Sequence, residues 1–171
     1  MPELAARIRQ SARLNGAFTL RSGKVSDTYF DKYQFEADPG LLLAIAQELK
    51  ELIPEGTDVL AGLEMGGIPI VVLLSQVSGI PAAFIRKQPK DYGTCRYAEG
   101  ASLEGKKFVL IEDVVSSGGA ILDALGLLKS DGYWPAAALC VIDRETGGKE
   151  ALADVGLELK PLYTFSAIEN A

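Results

Sequence analysis

Four apolar runs of strand length, at residues 59–62, 82–85, 108–111 and 136–142, punctuate the chain, and segments with helical spacing lie between them. Each run has hardly a polar interruption, the pattern of a strand buried on both faces. A further run over 157–162 predicts one more strand. The segments 39–52, 67–78 and 119–130 repeat apolar residues at intervals of three and four and predict helices, with a shorter helix over 149–155. Strands alternating with helical crossovers predict an α/β fold, a central parallel sheet of about five strands with helices on both faces. In open sheets of this kind ligands sit beyond the carboxyl ends of the strands, so candidate chemistry is sought just after each run.

Two regions fall outside that alternation. Leu4, Ala5, Ile8 and Leu14 lie near helical spacing behind Pro2 and predict an amphipathic helix. Residues 16–35, rich in Thr, Val, Tyr and Phe with polar turns, predict a short antiparallel hairpin. Together residues 1–36 read as a small hood on a single domain spanning 1–171. The second region, 86–105, has no clear element over about twenty residues, which predicts a binding loop or lid. It sets Arg86, Lys87, Lys90 and Arg96 against Asp91 and Glu99.

Composition narrows the chemistry. A net charge of −6 disfavours general attraction to nucleic acid or to an anionic membrane, so an anionic ligand needs local basic groups. The two cysteines, Cys95 and Cys140, form no CxxC or metal-ligand spacing, and Cys95 reads as an incidental small residue. The chain has no histidine, which excludes Ser-His-Asp and Cys-His catalysis. No signal-peptide core and no membrane-spanning stretch is evident, and the cytoplasm is the expected compartment. Trp134, beside Pro135, is expected to pack.

Residues 108–120 hold the densest set of candidate groups: a buried strand, Glu112 and Asp113, Ser116 and Ser117, Gly118 and Gly119, then Ala120 opening an apolar helix. Glycines allow a tight turn that aims several N–H groups at one point, and a helix start adds positive potential, a cradle suited to phosphate. The two acids suit ribose hydroxyls or metal-bound water, provided that the strand ends there, since neighbours in a strand face opposite ways. The string is neither a Walker A loop nor a dinucleotide fingerprint. On local grounds a plain strand-to-helix turn with solvated acids stays open. Elsewhere the alternatives also stay open: 62–69 as a turn or a ligand loop, 86–90 as a solvated face or a lid, and 143–145 as a turn with local ion pairs or a ligand contact. Arg21 and Lys24 read equally as surface charges, and Tyr29 and Phe30 as core aromatics.

The string at 108–120 resembles the phosphoribosyl pyrophosphate motif of type I phosphoribosyltransferases. Four more islands, at 16–26 with 28–31, 62–69, 86–93 and 143–145, resemble the orotate phosphoribosyltransferase branch in matching order. The resemblance implies the type I phosphoribosyltransferase fold with 86–105 as a mobile catalytic loop. It implies a Mg²⁺-dependent transfer of ribose 5-phosphate from phosphoribosyl pyrophosphate to orotate, giving orotidine 5′-monophosphate and pyrophosphate in pyrimidine synthesis. Lys90, Asp113 and Arg86 would then be catalytic. Arg21, Arg86, Lys87, Lys90, Tyr92, Glu112, Asp113, Ser116, Ser117, Gly118, Gly119 and Ala120 would bind phosphoribosyl pyrophosphate. Glu64, Met65, Gly66 and Gly67 would form the pyrophosphate loop, and Tyr29, Phe30, Ser116 and Arg144 would contact orotate. Mg²⁺ would have no direct protein ligand, reaching Glu112 and Asp113 through substrate and water. A homodimer with shared active sites is implied too. The branch often has a lysine at the position of Gly66 and a histidine at that of Tyr92. An adenine-type enzyme and a non-catalytic phosphoribosyl pyrophosphate-binding regulator are the alternatives.

Overall fold

The computed structural model describes residues 2–19, 23, 25–89 and 96–171. The expectations placed on Arg21, Lys24, Lys90, Tyr92 and Cys95 lie outside these residues.

The chain begins with helix α1 (Pro2–Ala12) and an antiparallel pair, β1 (Arg13–Thr19) with β2 (Val25–Phe30). Leu14 falls on β1 rather than on the helix. Helix α2 (Lys32–Ala37) then occupies part of the segment expected to be hairpin. Its cause is local: the Asp31 side chain accepts from Tyr33 N–H at 3.1 Å and caps the first turn. Asp38 caps the next helix, α3 (Pro39–Leu49), by accepting from the amides of Gly40 and Leu41, and a 3₁₀ turn over Lys50–Leu52 finishes the predicted segment.

The main sheet comprises β3 (Val59–Leu63), β4 (Ala82–Ile85), β5 (Ala98–Gly100), β6 (Phe108–Val115), β7 (Ala137–Asp143) and β8 (Leu159–Thr164). They lie in the order β5-β4-β3-β6-β7-β8. Five strands run parallel, as expected, and β5 adds an antiparallel edge against β4. The 86–105 segment is thus tied back to the sheet at 98–100. Helices α4 (Gly67–Ser78) and α5 (Gly119–Ser130) match their predicted bounds, followed by α6 (Gly148–Asp154) and an unpredicted α7 (Phe165–Glu169).

Alternate strand residues feed two cores. Leu60, Val109, Ile111, Leu139 and Val141 pack with α1, α3 and α4, whereas Ala61, Leu63, Phe108, Leu110, Ala138 and Cys140 pack with α5 and α6. This two-fold alternation decides which way each residue near the ends of β3, β6 and β7 faces. Trp134 is 45% exposed, contrary to the expected packing, because it lies in the turn before β7 rather than on the strand.

Candidate active site

β6 runs into Ser116 and Ser117, both exposed, and Gly118 opens α5 with φ 79° and ψ 1°. That left-handed conformation suits glycine and turns the chain so that the first amides of α5 face out beyond the sheet. The loop is held from behind by α6: a β-carbon on Gly148 would come within 2.4 Å of the Ser116 carbonyl oxygen. In front of it lies a cavity of about 780 Å³, lined by residues 114–121 together with Glu64, Arg86, Lys87, Gln88 and Glu112. Amides at a helix start, two hydroxyls and two cations on one cavity suit an anionic ligand.

The two acids divide between the faces of β6. The strand continues through Val115, so Glu112 shares its face with Phe108 and Leu110 and lines the cavity, while Asp113 shares the face of Val109 and Ile111. Asp113 has no solvent exposure and contacts the Lys32 ammonium. Its Oδ1 accepts from the Val114 amide at 2.5 Å, and Asp113 N–H donates to Glu112 Oε1 at 3.0 Å. Burial, then the Asp113 charge, raises the Glu112 carboxyl. Burial, then a hydrogen bond to Asp113, raises that of Glu36. Burial alone would raise Asp113 as well, but hydrogen bonds from Glu112, Lys32 and Glu36 outweigh it and hold Asp113 below the ordinary carboxylate value. Burial opposes the Lys32 charge, yet the Asp113 bond and nearby carboxylates win and raise it.

After β3, Glu64 N–H donates to the Ile85 carbonyl at 2.8 Å, and its Oε1 accepts from the Lys87 amide at 2.5 Å. The expected pyrophosphate loop is thereby joined to the start of the basic segment. The Glu64–Met65 peptide is cis, and Met65 is exposed. Gly66 and Gly67 are buried, and a β-carbon on Gly66 would lie 1.7 Å from Asp113 Oδ2. Glu64, Arg86, Lys87, Glu112 and residues 116–120 are therefore gathered on one cavity, with Asp113 and Gly66 side by side behind its wall.

The expected base contacts separate. Tyr29 and Phe30 are neighbours on β2 and face opposite ways: Tyr29 meets Phe18 at 5.5 Å between ring centroids, and Phe30 meets Phe165 edge-on at 5.4 Å. The Arg144 guanidinium lies 4.5 Å from the Phe165 ring centre and 6.0 Å from that of Phe30. Its amide donates to the Val115 carbonyl at 2.8 Å, which fixes Arg144 beside the start of the phosphate loop. The local ion pairs considered for 143–145 are not formed among the described residues.

Sequence reading missed Lys32, Glu36, Phe165 and Ser166. Lys32 and Glu36 carried a signal, opposite charges four apart directly after a capping Asp31. Phe165 and Ser166 carried none, because their partners Phe30, Arg144 and Glu145 lie far from them along the chain.

Residues 34–160 match the family model described as the phosphoribosyl transferase domain. An orotate phosphoribosyltransferase of Nocardioides sp. is 49% identical over 98% of this chain and 94% of its own length. One from Methanocella arvoryzae is 39% identical over 97% and 95%. The solved orotate phosphoribosyltransferase of Mycobacterium tuberculosis H37Rv, in complex with Fe(III) dicitrate, superposes with a TM-score of 0.88 at 27% identity, covering 98% of this chain and 97% of that one.

Proposed function

The chain belongs to the type I phosphoribosyltransferase family, most like its orotate phosphoribosyltransferases, and from that premise we propose that its cavity transfers ribose 5-phosphate from phosphoribosyl pyrophosphate to orotate. A ring nitrogen of orotate bonds to C1 of the sugar as the C1–O bond to pyrophosphate breaks. The bonding pair leaves with pyrophosphate, and the nitrogen's proton passes to solvent. The product is orotidine 5′-monophosphate, a precursor in pyrimidine synthesis, and no protein nucleophile takes part.

The observation that carries this reading is the convergence of the 116–120 cradle, Glu112, Arg86 and Lys87 on one cavity. In it the cradle takes the 5′-phosphate, Glu112 takes a ribose hydroxyl, and Arg86 and Lys87 meet the departing pyrophosphate. Asp113 backs Glu112 from the other side of the strand, and Lys90 supplies a further cation to the leaving group. Arg21 and Tyr92 remain proposed contacts to phosphoribosyl pyrophosphate, and Arg144 to the orotate carboxylate, its planar fork suited to that group.

Magnesium fits as an ion carried by the substrate. Among the described residues no three acids, cysteines or histidines are grouped to hold a metal. Of the carboxylates on the cavity, Glu64 is engaged by the Lys87 amide, and Glu112 suits an octahedral ion that keeps its waters and the substrate's phosphate oxygens. When bound, the ion offsets charge developing on pyrophosphate. A homodimer whose partner completes the site and a cytoplasmic setting belong to the same proposal, and among the described residues no helix is long and apolar enough to cross a membrane.

The test is pyrophosphate release from phosphoribosyl pyrophosphate and Mg²⁺ with orotate, uracil, adenine, guanine and hypoxanthine in turn. Turnover with orotate is expected. Turnover with a purine alone would point to the adenine-type reading, and tight binding without turnover to the regulator. Sedimentation tests the dimer: a fully active monomer would exclude shared sites.

A further inference from the structure

Arg144 stands between two acids, either of which could pair with its guanidinium. The fold prevents this. Asp143 Oδ1 accepts from Glu145 N–H at 2.9 Å, so it serves the backbone. Glu145 has φ 57°, a left-handed conformation rare for a residue with a side chain, and both of its carboxylate oxygens go to Ser166: Oε2 to the amide at 2.7 Å and Oε1 to the hydroxyl at 3.0 Å. Among the described residues Arg144 forms no ion pair. Its guanidinium instead lies over Phe165, whose ring is braced edge-on by Phe30. Stacking holds a guanidinium plane through its face and leaves the N–H edge, the part that pairs with a carboxylate, unconsumed.

We infer that Phe165 and Ser166 are positioning residues for base recognition. Phe165 orients the Arg144 fork by stacking, and Ser166 draws Glu145 away so that the fork stays open to an anionic base. This rests on the reading of Arg144 as the orotate contact and adds how its charge is kept available. The element responsible is α7, five residues that the sheet alone does not require.

Steady-state kinetics on the full-length protein with orotate, phosphoribosyl pyrophosphate and Mg²⁺ test it. Phe165→Leu keeps apolar bulk but loses the ring face, and should raise the KM for orotate about 3- to 30-fold while the KM for phosphoribosyl pyrophosphate and the melting temperature stay near those of the parent. Phe165→Tyr keeps the face and should restore orotate affinity. Ser166→Ala frees one oxygen of Glu145 to capture Arg144 and should raise the orotate KM by about 2- to 5-fold. The double variant Ser166→Ala with Glu145→Ala removes the competitor and should bring that KM back down. Equal rises in both KM values, or no recovery in the double variant, would overturn the inference as a merely structural effect. Arg144→Ala separates the levels. If it raises the orotate KM and Phe165→Leu does not, the positioning role alone falls; if it leaves the orotate KM unchanged, the assignment of Arg144 falls with it.

Discussion

Gly66→Ala is the most revealing single substitution. Gly66 has φ −67° and ψ −30°, values an alanine adopts freely, so its glycine is not there for backbone freedom. Space is the constraint: the added β-carbon would sit 1.7 Å from Asp113 Oδ2, 2.3 Å from Cγ and 2.9 Å from Oδ1. Asp113 would have to rotate out of a fully buried site, breaking the Val114 N–H bond to Oδ1 and the Lys32 contact. A lost hydrogen bond to a charged group is worth about 1.5–3 kcal/mol. Lys32 keeps about a third of its side chain exposed, 33%, so its half of the loss is screened. A total of roughly 2–4 kcal/mol follows, on the order of 5–15 °C in melting temperature for a chain of this size. Denaturant unfolding of a double-mutant cycle with Asp113→Ala is the assay, since it reads stability without depending on turnover. In the Asp113→Ala background the obstacle is gone, and Gly66→Ala should cost under about 1 kcal/mol. Equal costs in both backgrounds would refute the steric account.

Other consequences are as direct. Lys32→Met should weaken folding by about 1–3 kcal/mol and raise the KM for phosphoribosyl pyrophosphate, with Lys32→Arg milder on both; unfolding and kinetics read them separately. Glu36 has a raised folded pKa, so the folded state holds its proton more tightly than the unfolded chain does. Its favourable contribution is present below the ordinary carboxylate range and is lost as pH rises towards the folded value. The melting temperature should therefore decline over about pH 5 to pH 9 more steeply in the parent than in Glu36→Gln, and identical slopes would count against the buried proton. Chelating Mg²⁺ should abolish turnover and leave the apo melting temperature unchanged, because no cage of acids is grouped for the ion among the described residues; a fall on chelation, seen by calorimetry, would reveal one.

The parts of the molecule legible in the sequence are those encoded locally. The buried strands announced themselves as unbroken apolar runs, and α4 and α5 were bounded by Gly67 and Gly119, the residues at which the observed helices start. The turn at 116–120 was readable as a candidate cradle because its glycines and serines suit a phosphate, although the same residues fit a plain strand-to-helix turn equally well. What escaped is non-local. β5 is three residues long and exists only through its pairing with β4. α7 is five residues, too short for periodicity to register, and Phe165 matters only through Phe30 and Arg144. Whether the two acids part to opposite faces or turn together towards one ligand was undecidable while the strand's end was unknown, since alternation holds only as far as the strand continues.

That last point governs the site. Because β6 reaches Val115, the two adjacent acids are split between a ligand cavity and a buried cluster roofed by α2. Glu112 faces the cavity, and Asp113 closes against Gly66, where no β-carbon fits. A lysine at position 66, which the orotate branch often carries, is incompatible with Asp113 as it stands here. The positive charge reaches Asp113 instead from Lys32, on the helix that Asp31 caps immediately after the hood hairpin. Hood and strand end are thereby joined through one ion pair, so a change at Lys32 should register in phosphoribosyl pyrophosphate affinity although Lys32 does not line the cavity. Arg144→Ala, acting through the other end of the site, should register in orotate affinity alone. If both variants shifted both affinities equally, the division of the site by the faces of β6 would be wrong.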